Sequence, residues 1–307
     1  KNTMKYFSKA MIGLDLTEMD DILIKKTAAM VKFLGIDKCY FIHVAKNLEI
    51  PQEILTQYPD LVAPTDESIE AMIRQKLKEH NFPEDVDVEP FVEEGSHPLD
   101  TFLRWAKLKD VDLIIMGRKE TFQGSGTLAD GVAKKAPCSI LLLQEKRLVK
   151  LPKKILMLTD FSTHNHMFYE FGERIAADLH ADLIPLHLYE VPHGYSKTGK
   201  SFEEFSEIMK ENAQKDFKKF ASKHENSDLE CVMLLRDGDN IGAQITKYAQ
   251  EIDADLVLLG SRGRTTSAAI LLGSTAEKLI KANKVLPMLI FKKKGETMGF
   301  FDALFKI

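Results

Sequence analysis

Short apolar runs alternate with longer amphipathic segments along both halves of the chain. In the second half, β-rich runs predict strands near 154–159, 182–189, 230–235, 255–260 and 286–291. Apolar residues at helical spacing between them predict helices near 165–179, 201–224, 241–252 and 275–283. Strands and helices that alternate in this way form βαβ units around a mainly parallel sheet. The runs "DLIIMG" and "DLVLLG" are apolar almost throughout, which predicts interior strands with helices covering both faces.

The second half of the chain repeats the first. "AMIGLDLTEMD" resembles "ILMLTDFSTHN", and "CYFIHVAKN" resembles "LIPLHLYEV". Landmark residues recur at offsets of 143 to 145 positions: Asp15 with Asp160, His43 with His187, Gly95 with Gly238, and Gly117 with Gly260. A repeat at a nearly constant offset indicates duplication. We predict an α/β protein of two tandem doubly wound domains, 1–148 and 149–292, each with a mainly parallel five-stranded sheet, and an apolar tail at 293–307.

Composition narrows the class of protein. The chain has 307 residues, 44% of them hydrophobic, and a net charge of −4, which lacks the basic footprint of a nucleic-acid-binding protein. No apolar run reaches the roughly 20 residues that cross a bilayer, and no apolar secretory segment opens the sequence. We therefore expect no nucleic-acid or membrane partner and a cytoplasmic location. The widely spaced cysteines, Cys39, Cys138 and Cys231, are typical of reduced core residues.

The fold class predicts where a ligand would bind. In open parallel sheets, ligands bind beyond the carboxyl ends of the strands, where the strand order reverses. If the first and fourth strands of the second half flank that point, their ends are "LTDFS", with Asp160, and "LLGSRGR", with Gly260. Gly260 and Gly263 allow the backbone to approach a ligand without a Cβ.

The segment after the fourth strand is suited to an anion. "GSTAEKLI" predicts a helix with a capping box formed by Ser274 and Glu277. A helix N-terminus favours an anion beside Gly273, Ser274 and Thr275, and nearby arginines add positive charge. Glycines alone are weak evidence, since such a loop can also serve only to turn the chain. The spacing matches neither a P-loop nor the dinucleotide-binding fingerprint.

These residues together resemble a known family. The spacing G-x2-G-x9-G-[ST], carried here by Gly260, Gly263, Gly273 and Ser274 after "ADLVLLGSRG", is similar to the nucleotide-binding signature of the universal stress protein family. "KKILMLTDFS" resembles that family's first strand and "ADLIPLHLYEV" its second. Because the resemblance spans both halves, it implies a tandem protein of two Rossmann-like domains of the adenine nucleotide alpha-hydrolase type.

The resemblance implies an adenine-nucleotide site and a role in stress adaptation. Its ligand would be ATP or another adenine nucleotide, with Mg or another divalent ion. Thr159 and Asp160 would face the adenine end, with Leu188 beside the base. Leu259 and Gly260 would lie near the base and ribose. The phosphates would contact Arg262, Gly263, Gly273, Ser274 and Thr275.

The first half departs from this pattern. Glu120 stands where the second half has Gly263, and its carboxylate would repel a polyphosphate. The interval from Gly117 to Gly126 is nine positions, against thirteen from Gly260 to Gly273. We therefore predict that the second domain binds the nucleotide and that the first acts as a built-in partner.

Catalytic and metal chemistry receive less support from the sequence. No set of nucleophile, base and orienting group emerges, which favours binding over turnover and leaves a slow ATP hydrolase as the weaker alternative. A nucleotide-independent interaction scaffold or a binder of another small ligand is the other alternative. His164, His166, His187 and His193 could gather at one rim and suit zinc, but residues two apart diverge on a helix. We interpret His43 and His187 as hydrogen-bonded structural groups.

The fifth-strand regions suggest how the domains associate. "APCSILLL" and "KVLPMLIF" would be sheet edges, and pairing between them within one chain would close both edges. The sequence thus predicts intramolecular pairing of the two domains, and homodimerisation through the apolar tail is a further expectation.

Overall fold

A computed structural model describes residues 5–46, 52–58, 66–119, 126–146, 150–163, 165–225, 228–236, 238, 240–261 and 272–293. The chain divides into two compact units. The first contains the described residues up to Lys150, and the second is Leu151–Lys292. The apolar tail predicted at 293–307 lies almost entirely outside the described residues.

The first unit is a parallel α/β domain. Its elements, in chain order, are β1 (Lys9–Leu14), α1 (Glu18–Leu34), β2 (Lys38–Ala45), α2 (Gln52–Gln57), α3 (Asp66–Glu79), β3 (Asp87–Glu94), α4 (Pro98–Leu108), β4 (Leu113–Arg118), α5 (Gly126–Lys135) and β5 (Ser139–Gln144). The strands are parallel and lie in the order β3-β2-β1-β4-β5. The order reverses between β1 and β4.

The second unit repeats this architecture. Its elements are β6 (Lys154–Leu158), α6 (Asn165–Leu179), β7 (Asp182–Tyr189), a short 3-10 helix (Tyr195–Thr198), α7 (Phe202–Ala221), β8 (Val232–Leu235), α8 (Ile241–Glu251), β9 (Leu256–Gly260), α9 (Ser274–Ala282) and β10 (Met288–Phe291). The parallel order is β8-β7-β6-β9-β10. The predicted α/β class and mainly parallel sheets are confirmed.

The predicted elements of the second half are confirmed to within three residues at each end, and the structure adds one short element. The 3-10 helix was not predicted; it follows Gly194 and precedes Gly199, both in the left-handed region. The predicted helix 201–224 is α7, and it begins one residue later. Ser201 caps it, and Glu204 completes a capping box with Ser201.

The fourth strand of each domain lies in the core. β4 is flanked by β1 and β5, and β9 by β6 and β10, so both have a neighbour on each side. Leu113, Ile114 and Ile115 have no exposed surface, and Leu256–Leu259 are buried. An apolar run without alternation therefore does mark an interior strand here.

The cysteines form no disulfide, and all three lie in described parts of the chain. Cys39 and Cys138 are buried, and Cys231 is half-buried. Burial raises the pKa of the Cys39 thiol to about 12, which keeps it protonated and unreactive. Among the helices that the structure describes, none has the length and apolar character needed to cross a membrane.

Candidate functional site

The strand order brings the ends of β6 and β9 to one edge of the second domain. The two strands pair directly, with Met157 opposite Leu258. Asp160 follows β6 by two residues, and Gly260 is the last residue of β9. Because parallel strands end at the same edge, Asp160 and Gly260 lie at the point where the strand order reverses. The two strand ends that were predicted to flank a ligand site therefore meet at one edge, and the site itself stays a prediction.

Thr159 is fixed by three hydrogen bonds at the end of β6. Its N–H donates to the Leu186 carbonyl at 2.9 Å, and its buried hydroxyl donates to Asn165 Oδ1 at 2.8 Å. Its carbonyl accepts from His187 Nδ1 at 2.8 Å. Since a carbonyl only accepts, this bond places the proton of a neutral His187 on Nδ1. These contacts hold the backbone that leads into Asp160.

Asp160 begins a tight turn. Its Oδ1 accepts from the Ser162 N–H at 3.0 Å. Phe161 has a φ of 61°, in the left-handed region that is costly for a residue with a side chain. Its ring stacks on His187 with centroids 4.2 Å apart and also contacts Phe217 and Phe220. We infer that this aromatic packing offsets the backbone strain and holds the turn.

The base of the loop after β9 is closed by backbone hydrogen bonds. Leu259 is buried and Gly260 is half-buried. The Ser261 N–H donates to the Phe291 carbonyl at 3.0 Å, and the Gly273 N–H donates to the Ser261 carbonyl at 2.8 Å. Residues 261 and 273 are therefore adjacent in space. Arg262 and Gly263, which lie between them in sequence, are outside the described residues.

The predicted capping box at the start of α9 is wrong. The N-cap is Gly273, with extended backbone and no side-chain cap, and Ser274 is the first helical residue. The helix begins one residue earlier than the S-x-x-E pattern requires, so Ser274 is already inside the helix and cannot reach the N–H that an N-cap side chain bonds. Ser274 is exposed and Thr275 is half-buried. The backbone N–H groups of the first turn therefore keep their capacity to bind an anion.

Leu188 lies near the end of β7. It pairs with Leu234 of β8 and is half-buried, whereas His187 and Tyr189 on either side are buried. Alternation along a strand places Leu188 on the opposite face of the sheet from His187. The topology therefore brings all the described candidate residues to one edge: Thr159, Asp160, Leu188, Leu259, Gly260, Gly273, Ser274 and Thr275.

In the first domain, an ion pair occupies the corresponding edge. Lys119 directly follows β4, and its Nζ lies 2.5 Å from Asp15 Oδ2, just beyond β1. The Thr17 hydroxyl donates to the other carboxylate oxygen at 2.6 Å. Burial tends to raise the pKa of Asp15, but the bonds from Lys119 and Thr17 hold it below its ordinary value. Asp15, the counterpart of Asp160, is thus neutralised by its own chain.

A second ion pair is formed by the residue just before Lys119. Arg118, the last residue of β4, donates to Asp130 of α5 at 2.7 Å. The guanidinium side chain is only 2% exposed, while Asp130 is 28% exposed. The second domain has Ser261 at the place of Arg118. Sequence reasoning missed both pairs, although basic residues after the fourth strand and a retained aspartate after the first are visible signals. Glu120 lies outside the described residues.

The histidines divide into two kinds. His43 Nδ1 lies 3.0 Å from the Leu14 carbonyl, the same contact that His187 makes with Thr159, so the prediction that both are structural groups is confirmed. His166 Nδ1 instead lies 2.8 Å from Nε2 of His224, far along the sequence. His193 is exposed, and His164 is outside the described residues. Within the described ranges, no group of three or more His, Cys, Asp or Glu side chains is arranged to hold a metal ion.

Both domains are thus doubly wound α/β domains of the class whose ligands lie at a strand-order reversal. The chain belongs to the universal stress protein family, whose family model matches residues 7–144 and again 152–292. This double match confirms a tandem protein of that family.

Individual relatives agree with this assignment. A universal stress protein of Methanocaldococcus jannaschii is 31% identical over 144 residues, which cover 47% of this chain and 84% of that relative. A solved structure of a functionally unknown protein from Pseudomonas aeruginosa aligns over 100% of both chains with a TM-score of 0.68 and 14% identity. A universal stress protein from Archaeoglobus fulgidus aligns over 95% of this chain and 98% of its own, with a TM-score of 0.59 and 16% identity. At these identities the two structures show the fold alone.

Proposed function

We propose that the second domain binds an adenine nucleotide, ATP in the first instance, across the ends of β6 and β9. The observation that carries the proposal is the difference between the two edges. The glycine signature follows β9 in the second domain, where α9 begins with Gly273 and no side-chain cap. The first domain has Glu120 at the place of Gly263, and Lys119 pairs with Asp15 at its corresponding edge. This difference supports one nucleotide site per chain.

The roles that we propose for the residues are those that the resemblance to the family implies. Thr159 and Asp160 would meet the adenine end, with Leu188 beside the base. Leu259 and Gly260 would approach the base and ribose. The phosphate chain would be held by Arg262, Gly263, Gly273, Ser274 and Thr275. Backbone N–H groups at a helix start suit this task, because they donate to oxygen and the helix dipole favours negative charge.

A divalent ion is compatible with the proposal, because the phosphates of the nucleotide would hold it. Mg²⁺ is commonly held by substrate phosphates and water with few protein ligands. The described side chains at the phosphate end, Ser274 and Thr275, are neutral, so the phosphates would supply most of the charge. We assign no protein residue as a metal ligand.

We further propose that nucleotide occupancy acts as a regulatory signal in stress adaptation in the cytoplasm, and that the first domain serves as a partner within the chain. Pairing of the two fifth strands, and homodimerisation, remain predictions. No base or nucleophile stands out among the described residues of the edge, which favours binding over rapid hydrolysis.

The test begins with purified full-length protein. Denatured protein is examined chromatographically for released nucleotide, and nucleotide-free protein is titrated with Mg-ATP in a calorimeter. We expect one site per chain. Two equivalent sites would contradict the assignment to one domain, and no binding of any adenine nucleotide would leave the scaffold alternative.

A matched pair of variants locates the site. Asp160→Ala removes a group assigned to the adenine end and should weaken ATP binding about 10-fold, the cost of a charge-assisted hydrogen bond. Asp15→Ala makes the same change in the first domain and should leave ATP binding unchanged. Equal effects of the two substitutions would contradict the proposal. Phosphate release that Gly263→Glu abolishes would instead support the hydrolase alternative.

A further inference from the structure

The first turn of α8 lies unusually close to α9. A Cβ on Gly242 would be 2.2 Å from the Lys278 carbonyl oxygen and 2.9 Å from Ala282 Cβ, where ordinary contact is 3.4–4 Å. Gly242 is buried, and its own carbonyl accepts from the Thr246 hydroxyl at 2.7 Å. The missing side chain is what lets the two helix backbones come together here.

In the first domain, the glycine of the corresponding helix contact lies on the other helix of the pair. Leu99 of α4 stands 143 positions before Gly242, the offset of the glycine pairs, and Gly131 of α5 stands 147 before Lys278. A Cβ on Gly131 would be 2.8 Å from Leu99 Cδ2, a side-chain atom rather than backbone. The large and small residues are exchanged between the helices. The fold therefore does not itself require glycine at the position of Gly242.

The contact between Gly242 and Lys278 determines where the start of α9 lies. Lys278 lies one helical turn after Ser274, and a nine-residue helix moves as one rod. A side chain at position 242 would displace the α9 backbone by about 1 Å, whereas binding groups must be held within about 0.5 Å. The hydrogen bond between Gly273 and Ser261 fixes the other side of the same helix start.

We propose that Gly242 is a positioning residue for the phosphate end of the nucleotide site. Its bare backbone seats α9 so that the first-turn N–H groups of Ser274 and Thr275 reach the phosphate chain. The inference rests on the proposed function and adds a residue outside the glycine signature to it. Gly242 acts through α9 and is assigned no contact with the ligand.

The test compares ATP with adenosine in the full-length chain. Gly242→Ala should weaken ATP binding by about 10- to 100-fold, since a 1 Å misplacement has an effect of that order. Adenosine affinity should stay unchanged because adenosine carries no phosphate. A general loosening of the domain would weaken both ligands together. Gly131→Ala in the first domain is the control and should change neither affinity.

A double variant separates position from folding. Gly242→Leu with Lys278→Gly copies the pairing of Leu99 with Gly131, so the leucine side chain can pack over residue 278 once α9 has moved away. The double variant should therefore fold and still lose ATP selectively. A folded single or double variant with unchanged ATP affinity would overturn the inference, as would parallel loss of adenosine. Wild-type protein that binds no nucleotide would refute the proposed function and the inference with it.

Discussion

The two domains share a sheet order and a histidine contact but differ at the strand ends. His43 and His187 each bond the backbone at the end of the first strand, and that contact is the same in both domains. At the reversal of strand order, Lys119 covers Asp15 in the first domain, while the second carries the family's glycine signature. The comparison shows that buried packing is enough to keep the same fold in both domains. The chemistry of the candidate site depends instead on a few residues just beyond the ends of the strands.

The helices that cover the sheets differ as well. Asp21 of α1 bonds His80 at 2.9 Å and Lys76 at 2.6 Å. The corresponding residues of the second domain are His166 and His224, at offsets of 145 and 144, and there two imidazoles face each other. A carboxylate bonded to a lysine and a histidine in one domain is thus replaced by a pair of imidazoles in the other, so the two contacts respond differently to acid.

The largest expected effect comes from replacing Gly263 of the second domain by glutamate, the residue that the first domain has at this position. Gly263→Glu should lower ATP affinity by about 100-fold or more, because a carboxylate beside the phosphates costs several kcal/mol. Calorimetry with Mg-ATP measures the loss, and the thermal unfolding midpoint checks the fold. The reciprocal change, Glu120→Gly, should create no second site, since Lys119 still covers Asp15. A second site appearing in that variant would contradict the comparison.

A smaller effect is expected when the buried ion pair of the first domain is broken. Asp130→Ala leaves the guanidinium of Arg118 buried and should lower the free energy of unfolding by about 3 kcal/mol, as measured by urea denaturation. The control is Glu190→Ala, which removes the exposed partner of Arg236 in the second domain. Loss of an exposed pair should cost no more than about 0.5 kcal/mol. Equal losses in the two variants would show that the buried pair contributes no more than the surface one.

The smallest expected effect is a difference between the two domains in how their stability changes with pH. Burial and mutual repulsion lower the pKa of His166, and burial lowers the pKa of His224 below the ordinary 6.5. The unfolded chain then binds protons more readily, so the second domain loses stability as the pH falls below 6.5. Burial raises the pKa of Asp20 to about 7, so the contribution of that carboxyl is lost as the pH rises through 7 and returns on acidification.

Hydrogen exchange of the full chain at pH 7.5 and 5.5, corrected for intrinsic rates, follows each domain separately. Protection of α6 and α7 should fall at the lower pH, while α1 should gain protection through Asp20 and α3 should keep its own. Burial tends to raise the pKa of Asp21, but the bonds from Lys76 and His80 hold it below its ordinary value, so that carboxylate stays charged at both pH values. His224→Phe should flatten the response of the second domain. A response that persists in this variant would remove the imidazole pair as its cause.

The fold was predictable because it depends on periodic patterns. The apolar runs and the repeat offsets predict both domains and the elements of the second half. The interior position of β9 follows from a run that is apolar throughout. Such features are local in sequence and are repeated, so a single sequence is enough to predict them.

The site was predictable only in outline. The glycine spacing and the strand ends locate its edge, but the start of α9 is displaced by one residue from the capping pattern, because Gly273 already supplies the N-cap. The bridge from Lys119 to Asp15 joins residues more than a hundred positions apart, and His166 of α6 meets His224, which lies beyond the end of α7. Contacts of this kind depend on how the helices and loops pack, which no local pattern encodes.

The exchange of Leu99 and Gly131 for Gly242 and Lys278 also limits how the halves of this protein could be recombined. Grafting α4 onto the second domain would drive leucine into the backbone of α9, and grafting α8 onto the first would leave a hole beside Gly131. The smallest part that can be transplanted between the domains is therefore a pair of helices. After the duplication, a change at one position of such a helix contact would have required a matching change at the other.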